Sequence, residues 1–588
     1  RDTDRSRGLG DVYKRQTLQE RHKIMYEAAN RLGEMRGDLI GCMCAVTGKT
    51  VVEGDVEVSE GIDYARFYST SMKQFAELPD VDIAPKGTIL VISPWNFPCA
   101  IPIGGIVAGL VGGNTVILKP ATVAAPVAWL FAKAFWDAGV PKEALQVIIT
   151  DREALKVLTT APAVKHIILT GGTDTAQNIA RSNPATPLSA ETGGKNAIIL
   201  TASGDRDHAI MNIVASAFGN AGQKCSACSL LLVERSVYED KNFQDKLKDA
   251  ATSMKVGSVW NPGNVVGPMI TNKNDKLLKA LELEKGESWL VPPRFLDKHK
   301  YVLAPTVKWG VRPGNYSFRT ELFGPMLSVV CIENLQQGIN WVNSLDYGLT
   351  SGLQSLDEGE QKLWKDSIMA GNLYINRGIT GAIVNRQPFG GMKLSAFGGG
   401  VKAGGPNYCA CFVKITDKLG STTDYTQSYV KAYEQEFAHA RDVNNLYGEQ
   451  NAFRYLPLKN MVLRLFPGDN NEDAKMIALA ARICHTPLSI SFEPGDDRTA
   501  ALASLGCPLK EEALAGFLKS MKNYERIRTC GADIPMEMYE EAARIDKYIA
   551  TAKPVKDGRV ELIHYIKEQS ISFEYHRYGS ILEVPSVE

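Results

Sequence analysis

The chain has no surplus of either charge: 66 Lys and Arg face 66 Asp and Glu over 588 residues, and no Lys/Arg-rich block breaks that balance. A phosphate backbone is held by clustered cations, so no nucleic-acid partner is expected. There is no secretory signal either. Residues 1–16 (RDTDRSRGLGDVYKRQ) have no hydrophobic centre and no apolar period, and read as a non-native or disordered leader. The eleven cysteines form no spaced framework, and an odd number leaves a thiol free, which suits a reducing, cytoplasmic compartment. Also missing are a usable GxGxxG fingerprint and a phosphate loop, so composition alone points to no cofactor.

One long uncharged run, residues 87–118, exceeds a bilayer crossing. Pro94, Pro98 and Pro102, with Gly104-Gly105 and Gly112-Gly113, would break a spanning helix repeatedly. A buried strand, loop and helix is expected there, and no membrane span. Helical patterning runs from Thr17 to about Met72. Short β-rich runs at 89–92, 115–118, 146–149 and 166–169 then alternate with helical stretches, which predicts a parallel, helix-covered sheet. A second series at 197–200, 230–233, 327–332 and 372–375 predicts another α/β domain. The glycine-dense PFGGMKLSAFGGGVKAGGPNY (388–408) reads as a loop wrapping a site. Beyond about residue 425, strands at 461–466 and 488–492 and helices at 473–484, 511–521 and 536–549 suggest a separate C-terminal α/β domain without a nucleophile motif.

Four segments carry chemistry. FGNAGQKCS (218–226) places Cys225 after a glycine-containing turn; a buried structural thiol is the plainer alternative. Cys225-x-x-Cys228 admits a redox or zinc reading, but zinc needs further ligands and the nearest thiol pair, Cys409 and Cys411, is far along the chain, so no metal is expected. SPWNFP (93–98) fixes the Asn96 amide in a loop after a strand, ETGGKN (191–196) puts Glu191 beside two glycines, and TELFGP (320–325) adds Glu321 next to an aromatic and a turn.

In this order, and with 34 residues between Glu191 and Cys225, these segments resemble the aldehyde dehydrogenase superfamily over about residues 17–416. The resemblance implies an α/β fold with a Rossmann-like cofactor domain (17–195), an α/β catalytic domain (196–387), a substrate-anchor and oligomerisation segment (388–425) and a noncatalytic C-terminal α/β extension (426–588). Aldehyde oxidation needs a nucleophile that turns a flat carbonyl into a tetrahedral adduct from which hydride can leave, and a cysteine thiolate suits this. By resemblance Cys225 is that nucleophile, Asn96 and the Cys225 N–H form the oxyanion hole, and Glu191 activates the water that hydrolyses the thioester. The same resemblance implies NAD as cofactor, with contacts from Ser93, Pro94, Trp95, Lys119, Thr122, Gly171, Gly172, Thr173, Glu321 and Phe323. Family members often have serine at Gly172, and many NAD-preferring ones have glutamate at Thr122. A carboxylate there repels a 2′-phosphate, so Thr122 leaves NADP open.

Within the superfamily the likeness is to glutamate-semialdehyde (1-pyrroline-5-carboxylate) dehydrogenases. QPFGGMKLSAFGGGVKAGGPNY (387–408) resembles their anchor loop, and Ser226, Ser395 and the Ala396 backbone would bind the substrate carboxylate. Ala396 departs from the usual glycine, and an ordinary loop serine is the alternative for Ser395. GEQNAFRYLPL (448–458) and HYIKEQSISFEYHRYG (564–579) resemble the C-terminal extension of bifunctional proline-utilisation proteins, which covers an internal channel. That likeness implies a homo-oligomer and an upstream flavin-dependent proline dehydrogenase, as domain or partner. Competing expectations are another semialdehyde such as succinate semialdehyde, a cysteine esterase, and a noncatalytic scaffold.

Overall fold

The computed structural model describes residue 13 and residues 16–496, 498–531 and 533–581. Most of the expected leader lies outside the described residues. Tyr13 does not behave as leader, because its ring is buried in the helical core and its hydroxyl donates to the Leu110 carbonyl at 3.2 Å.

Thr17 opens the first helix, Leu18–Glu34, through reciprocal bonds with Glu20 that satisfy donors of the first turn. Helices Arg36–Thr47 and Val51–Ala76 follow; Leu18–Glu34 and Val51–Ala76 pack on the all-apolar helix Ala100–Val111, and Arg36–Thr47 packs on Val51–Ala76 and on Ala125–Asp137. The uncharged 87–118 run is thus a strand (Thr88–Ile92), a loop, this buried helix and a second strand (Thr115–Lys119), as expected. Its glycines allow close packing: a Cβ on Gly105 would lie 2.8 Å from Val91, and one on Gly109 2.7 Å from Val116. Among the described residues no helix is long and apolar enough to cross a membrane.

The first large sheet is parallel through Leu188–Glu191, Val164–Thr170, Thr88–Ile92, Thr115–Lys119 and Leu145–Val147, with Ala396–Phe397 added antiparallel beside Leu188–Glu191. The second has nine strands around Asn196–Leu200, Cys228–Glu234, Met326–Ile332 and Asn372–Ile375, all four in the expected series.

The C-terminal extension is not wholly separate. Strand Ile566–Glu574 pairs parallel with Asn372–Ile375, and Glu449–Pro457 pairs antiparallel with Ile566–Glu574, so the extension supplies the last two strands of the catalytic sheet. Only the parallel sheet Leu509–Glu511, Leu488–Phe492, Met461–Arg464, Arg526–Arg528 and Ile549–Ala550 forms a unit of its own. The expected helix at 536–549 stops at Arg544, because Asp546 adopts a left-handed φ of 55° and turns the chain into the edge strand at Ile549.

Candidate active site

Cys225 lies between a tight turn, Gly219–Gly222, and the strand Cys228–Glu234. Asn220, Ala221 and Gly222 all have positive φ, at 51°, 54° and 67°. For Asn220 and Ala221 this conformation costs on the order of 1 kcal/mol each and survives only where neighbours enforce it. Gly222 is obligatory, since a Cβ would come within 2.2 Å of the Gly324 carbonyl. Gln223 supplies the enforcement: its amide donates to Asn220 O (3.2 Å) and Pro268 O (3.3 Å) and accepts from Ile270 N–H (2.8 Å). On the other side Asn196, from the ETGGKN segment, donates to the carbonyls of Cys225 (2.7 Å) and Ala227 (3.0 Å). Burial and the Glu321 and Glu191 carboxylates push the Cys225 thiol up to about 12, against backbone N–H groups that pull it down. Cys228, by contrast, is a core side chain whose thiol donates to Leu230 O at 3.2 Å.

The Asn96 side chain is buried and donates to the carbonyl of Gln223 at 3.0 Å, two residues before Cys225. Glu191 ends its strand opposite Ala396. Burial pushes its carboxyl up to about 8, opposed by the charge of Lys402 and by a hydrogen bond from Gly391 N–H at 3.2 Å. Lys402 donates to Gly390 O and, at 2.9 Å, to Asn372 Oδ1. The Gly390–Gly391 peptide is therefore held by an ammonium on its oxygen and by Glu191 on its N–H. Glu568, from the C-terminal strand, accepts Lys402 N–H at 2.6 Å and Asn407 Nδ2 at 2.7 Å.

Cys225, Ser226, Glu191 and Ala396 line one cavity of 310 Å³, whose far wall carries Glu53, Glu57, Glu60 and Tyr64. Ser395 does not line it. Its hydroxyl donates to Gly193 O (2.8 Å) and accepts Gly348 N–H (3.1 Å), so the expected substrate contact is corrected to a loop fastener. Lys49, Glu53, Glu57, Glu60, Lys402 and Glu568 were not singled out from sequence. The three glutamates Glu53, Glu57 and Glu60 had a signal: acids recurring at helical spacing in Val51–Ala76.

The expected cofactor contacts gather at the carboxyl edge of the first sheet. Ser93 follows Thr88–Ile92, Lys119 ends Thr115–Lys119, exposed Thr122 starts the next turn, and Gly171-Gly172 lead from Val164–Thr170 into the helix Thr173–Ser182. The strand order reverses between Thr88–Ile92 and Val164–Thr170, the usual place for a dinucleotide crevice. Two observations fit a diphosphate-bearing ligand: the helix at Thr173 has no side-chain cap, and the buried Ser93 hydroxyl has no protein partner. Pro94 and Trp95 continue that loop, and the Trp95 ring meets Phe323 edge-on with centroids 5.8 Å apart. Glu321 rests on the ETGG turn, accepting Gly194 N–H at 2.8 Å, and burial raises its pKa.

Comparison with known proteins agrees with this geometry. The chain is 34% identical over 409 residues to a 1-pyrroline-5-carboxylate dehydrogenase of Geobacillus sp. (strain WCH70), covering 66% of this chain and 79% of that protein. It is 32% identical over 419 residues to that of Bacillus subtilis (strain 168), covering 68% and 81%. Among solved structures, proline utilization A from Corynebacterium freiburgense superposes with a TM-score of 0.86 at 36% identity. That match covers 98% of this chain, which spans 60% of the Corynebacterium chain. The Thermus 1-pyrroline-5-carboxylate dehydrogenase with bound NAD gives a TM-score of 0.65 at 31% identity over 70% of this chain and 83% of that one. The model of the aldehyde dehydrogenase family matches residues 7–417, which take in every segment of the cavity apart from the C-terminal strand behind it. With Cys225 and the buried Glu191 carboxyl on one cavity and the Asn96 amide against the backbone leading into Cys225, the chain belongs to the aldehyde dehydrogenase family.

Proposed function

We propose that the chain oxidises L-glutamate γ-semialdehyde to L-glutamate with NAD, in proline catabolism. The observation that carries this reading is the convergence of Cys225, Ser226, Glu191 and the 388–408 loop on one cavity with an acidic far wall. An amino-acid semialdehyde carries an ammonium and a carboxylate. Glu53 and Glu57 are already paired with Lys224 and Lys49, which leaves Glu60, bonded to Tyr64 and pushed up to about 8 by burial, to meet the ammonium. Ser226 and the Ala396 backbone, on the same cavity, would meet the carboxylate.

Burial raises the Cys225 thiol in the resting site, so its proton would leave to solvent through the cavity as the sulfur adds. Its sulfur adds to the aldehyde carbon, and the Asn96 amide with the Cys225 N–H receives the oxyanion. Lys119 and Thr122, at the carboxyl edge of the first sheet, would hold the adenosine half of NAD, which when bound would supply the hydride acceptor. The thioester left on Cys225 is hydrolysed by water that gives its proton to Glu191.

We also infer a homo-oligomer fed by a flavin-dependent proline dehydrogenase, as domain or partner. Supporting this is a second cavity of 660 Å³ behind Phe397 and Gly399, closed by Arg526, Tyr548 and His564 of the extension, as a cover over a passage would be. Eleven unpaired thiols support a reducing, cytoplasmic setting.

Reduced-nicotinamide formation with glutamate semialdehyde, succinate semialdehyde and propanal, each with NAD and NADP, tests the reading. Preference for glutamate semialdehyde with NAD is expected. Turnover of the other two aldehydes alone would remove the substrate assignment and leave the thioester chemistry standing.

A further inference from the structure

An oxyanion is stabilised only by donors already aimed at it, so the loop carrying Asn96 must keep one shape. Between the strand Thr88–Ile92 and the helix Ala100–Val111 the backbone of that loop is paired at Ser93, and residues 94–99 belong to no strand or helix. Lys49 reaches across from just before the Val51–Ala76 helix. Its Nζ donates to the Asn96 carbonyl at 2.6 Å, pairs with Glu57 Oε2 at 2.7 Å, and lies 3.8 Å from the centre of the Phe97 ring. The other oxygen of Glu57 accepts Cys99 N–H at 2.7 Å and Ala100 N–H at 3.1 Å, where the helix start has no side-chain cap of its own. One ion pair thus pins both ends of the stretch from Asn96 to Ala100.

Stability is a weak reason for this arrangement. The Lys49 and Glu57 side chains are only 1% and 0% exposed, and desolvating two charges so fully costs about as much as their attraction returns. The same helix also reaches the nucleophile loop, since Glu53 pairs at 2.9 Å with Lys224, next to Cys225. We propose that the buried Lys49–Glu57 pair is a positioning device that aims the Asn96 amide relative to Cys225. This rests on the reading of Asn96 as an oxyanion donor. Neither residue touches the reacting atoms; both act through Asn96.

The double variant Lys49→Met/Glu57→Gln removes both charges together, so neither is stranded, and keeps an acceptor for Cys99 and Ala100. With glutamate semialdehyde and NAD, its kcat should fall between about ten- and a hundredfold with KM little changed, the usual effect of misplacing a donor by a fraction of an ångström. Asn96→Ala alone should lose about a hundredfold or more. The triple variant should be no slower than Asn96→Ala, because the pair has nothing left to aim. Near-ultraviolet circular dichroism reports an intact fold in each variant. Losses that multiply in the triple variant, or an unchanged kcat in a folded double variant, would overturn the inference. Undiminished turnover by Asn96→Ala would instead remove the oxyanion reading on which it stands. Should the double variant not fold, Glu57→Gln alone enters the same cycle under the same criterion.

Discussion

Glu191→Gln separates the two halves of the reaction. Glutamine preserves the shape of the side chain and an acceptor for Gly391 N–H, but it cannot take a proton from water. With its carboxyl pushed up to about 8, Glu191 is roughly one-tenth ionised at pH 7 and roughly nine-tenths at pH 9. Turnover limited by thioester hydrolysis should therefore climb about tenfold over that interval in the wild type. In Glu191→Gln the climb disappears, and steady turnover drops about a hundredfold or more, the usual worth of a placed base. Rapid mixing should show a burst of one reduced nicotinamide per site, and mass spectrometry of the quenched protein a glutamyl group on Cys225. The same carboxyl affects stability with the opposite sign. Folded and unfolded forms are both protonated below the ordinary value of 4.5; between there and about 8 only the unfolded form ionises, so folding stability is lost as pH rises across that window. Relative to the non-titrating Gln variant, the wild type should melt progressively earlier from about pH 5 to about pH 9. A linear time course without burst, an adduct on Cys228, or melting curves that stay parallel with pH would refute the reasoning.

Three further outcomes follow from the same geometry. Cys228→Ala should retain turnover and lose about 1 kcal/mol of stability by denaturant titration, since its thiol sits in the core and bonds Leu230 O. Thr122→Glu should raise the NAD-over-NADP ratio of kcat/KM by about tenfold or more, because an exposed carboxylate at that turn repels a 2′-phosphate; an unchanged ratio would place the adenosine ribose elsewhere. Glu568→Gln should move the rising limb of the pH–rate profile to higher pH. Glu568 helps Lys402 keep its proton against burial, and the Lys402 charge in turn lowers Glu191, so a limb that stays in place would break that chain.

Much of the site was legible because its residues sit in short segments whose chemistry is local. SPWNFP, ETGGKN and FGNAGQKCS each combine a reactive side chain with the glycine or proline that shapes its backbone. The Gly222 φ of 67° and the lack of room for a Cβ on Gly194, 2.8 Å from Cys225 O, are what those glycines encode. Strand positions were equally accessible, since buried parallel strands read as continuous apolar runs and Asn372–Ile375 lies where its pattern predicts. Ser395 misled for a physical reason. A serine in a glycine-rich loop can face the ligand or its own loop, and only the approach of Gly193 O and Gly348 N–H decides which.

What stayed hidden are the groups that act at a distance along the chain. Lys49 and Asn96 are 47 residues apart, and Lys402 and Glu568 are 166 apart. Periodicity reports that a side chain is buried but not what it meets, because the partner depends on the register between remote segments. Glu568 shows the consequence. Read locally it is an acid in a strand near the end of a domain with no nucleophile. The sheet, however, pairs Ser570 with Asn372, and Ser570 Oγ donates to Pro388 O at 2.6 Å, which brings Glu568 against the backbone of Lys402. A segment outside the family match thereby fastens the loop that hydrogen-bonds Glu191. The boundary between catalytic and accessory parts, drawn in sequence near residue 425, passes in three dimensions between two strands of one sheet.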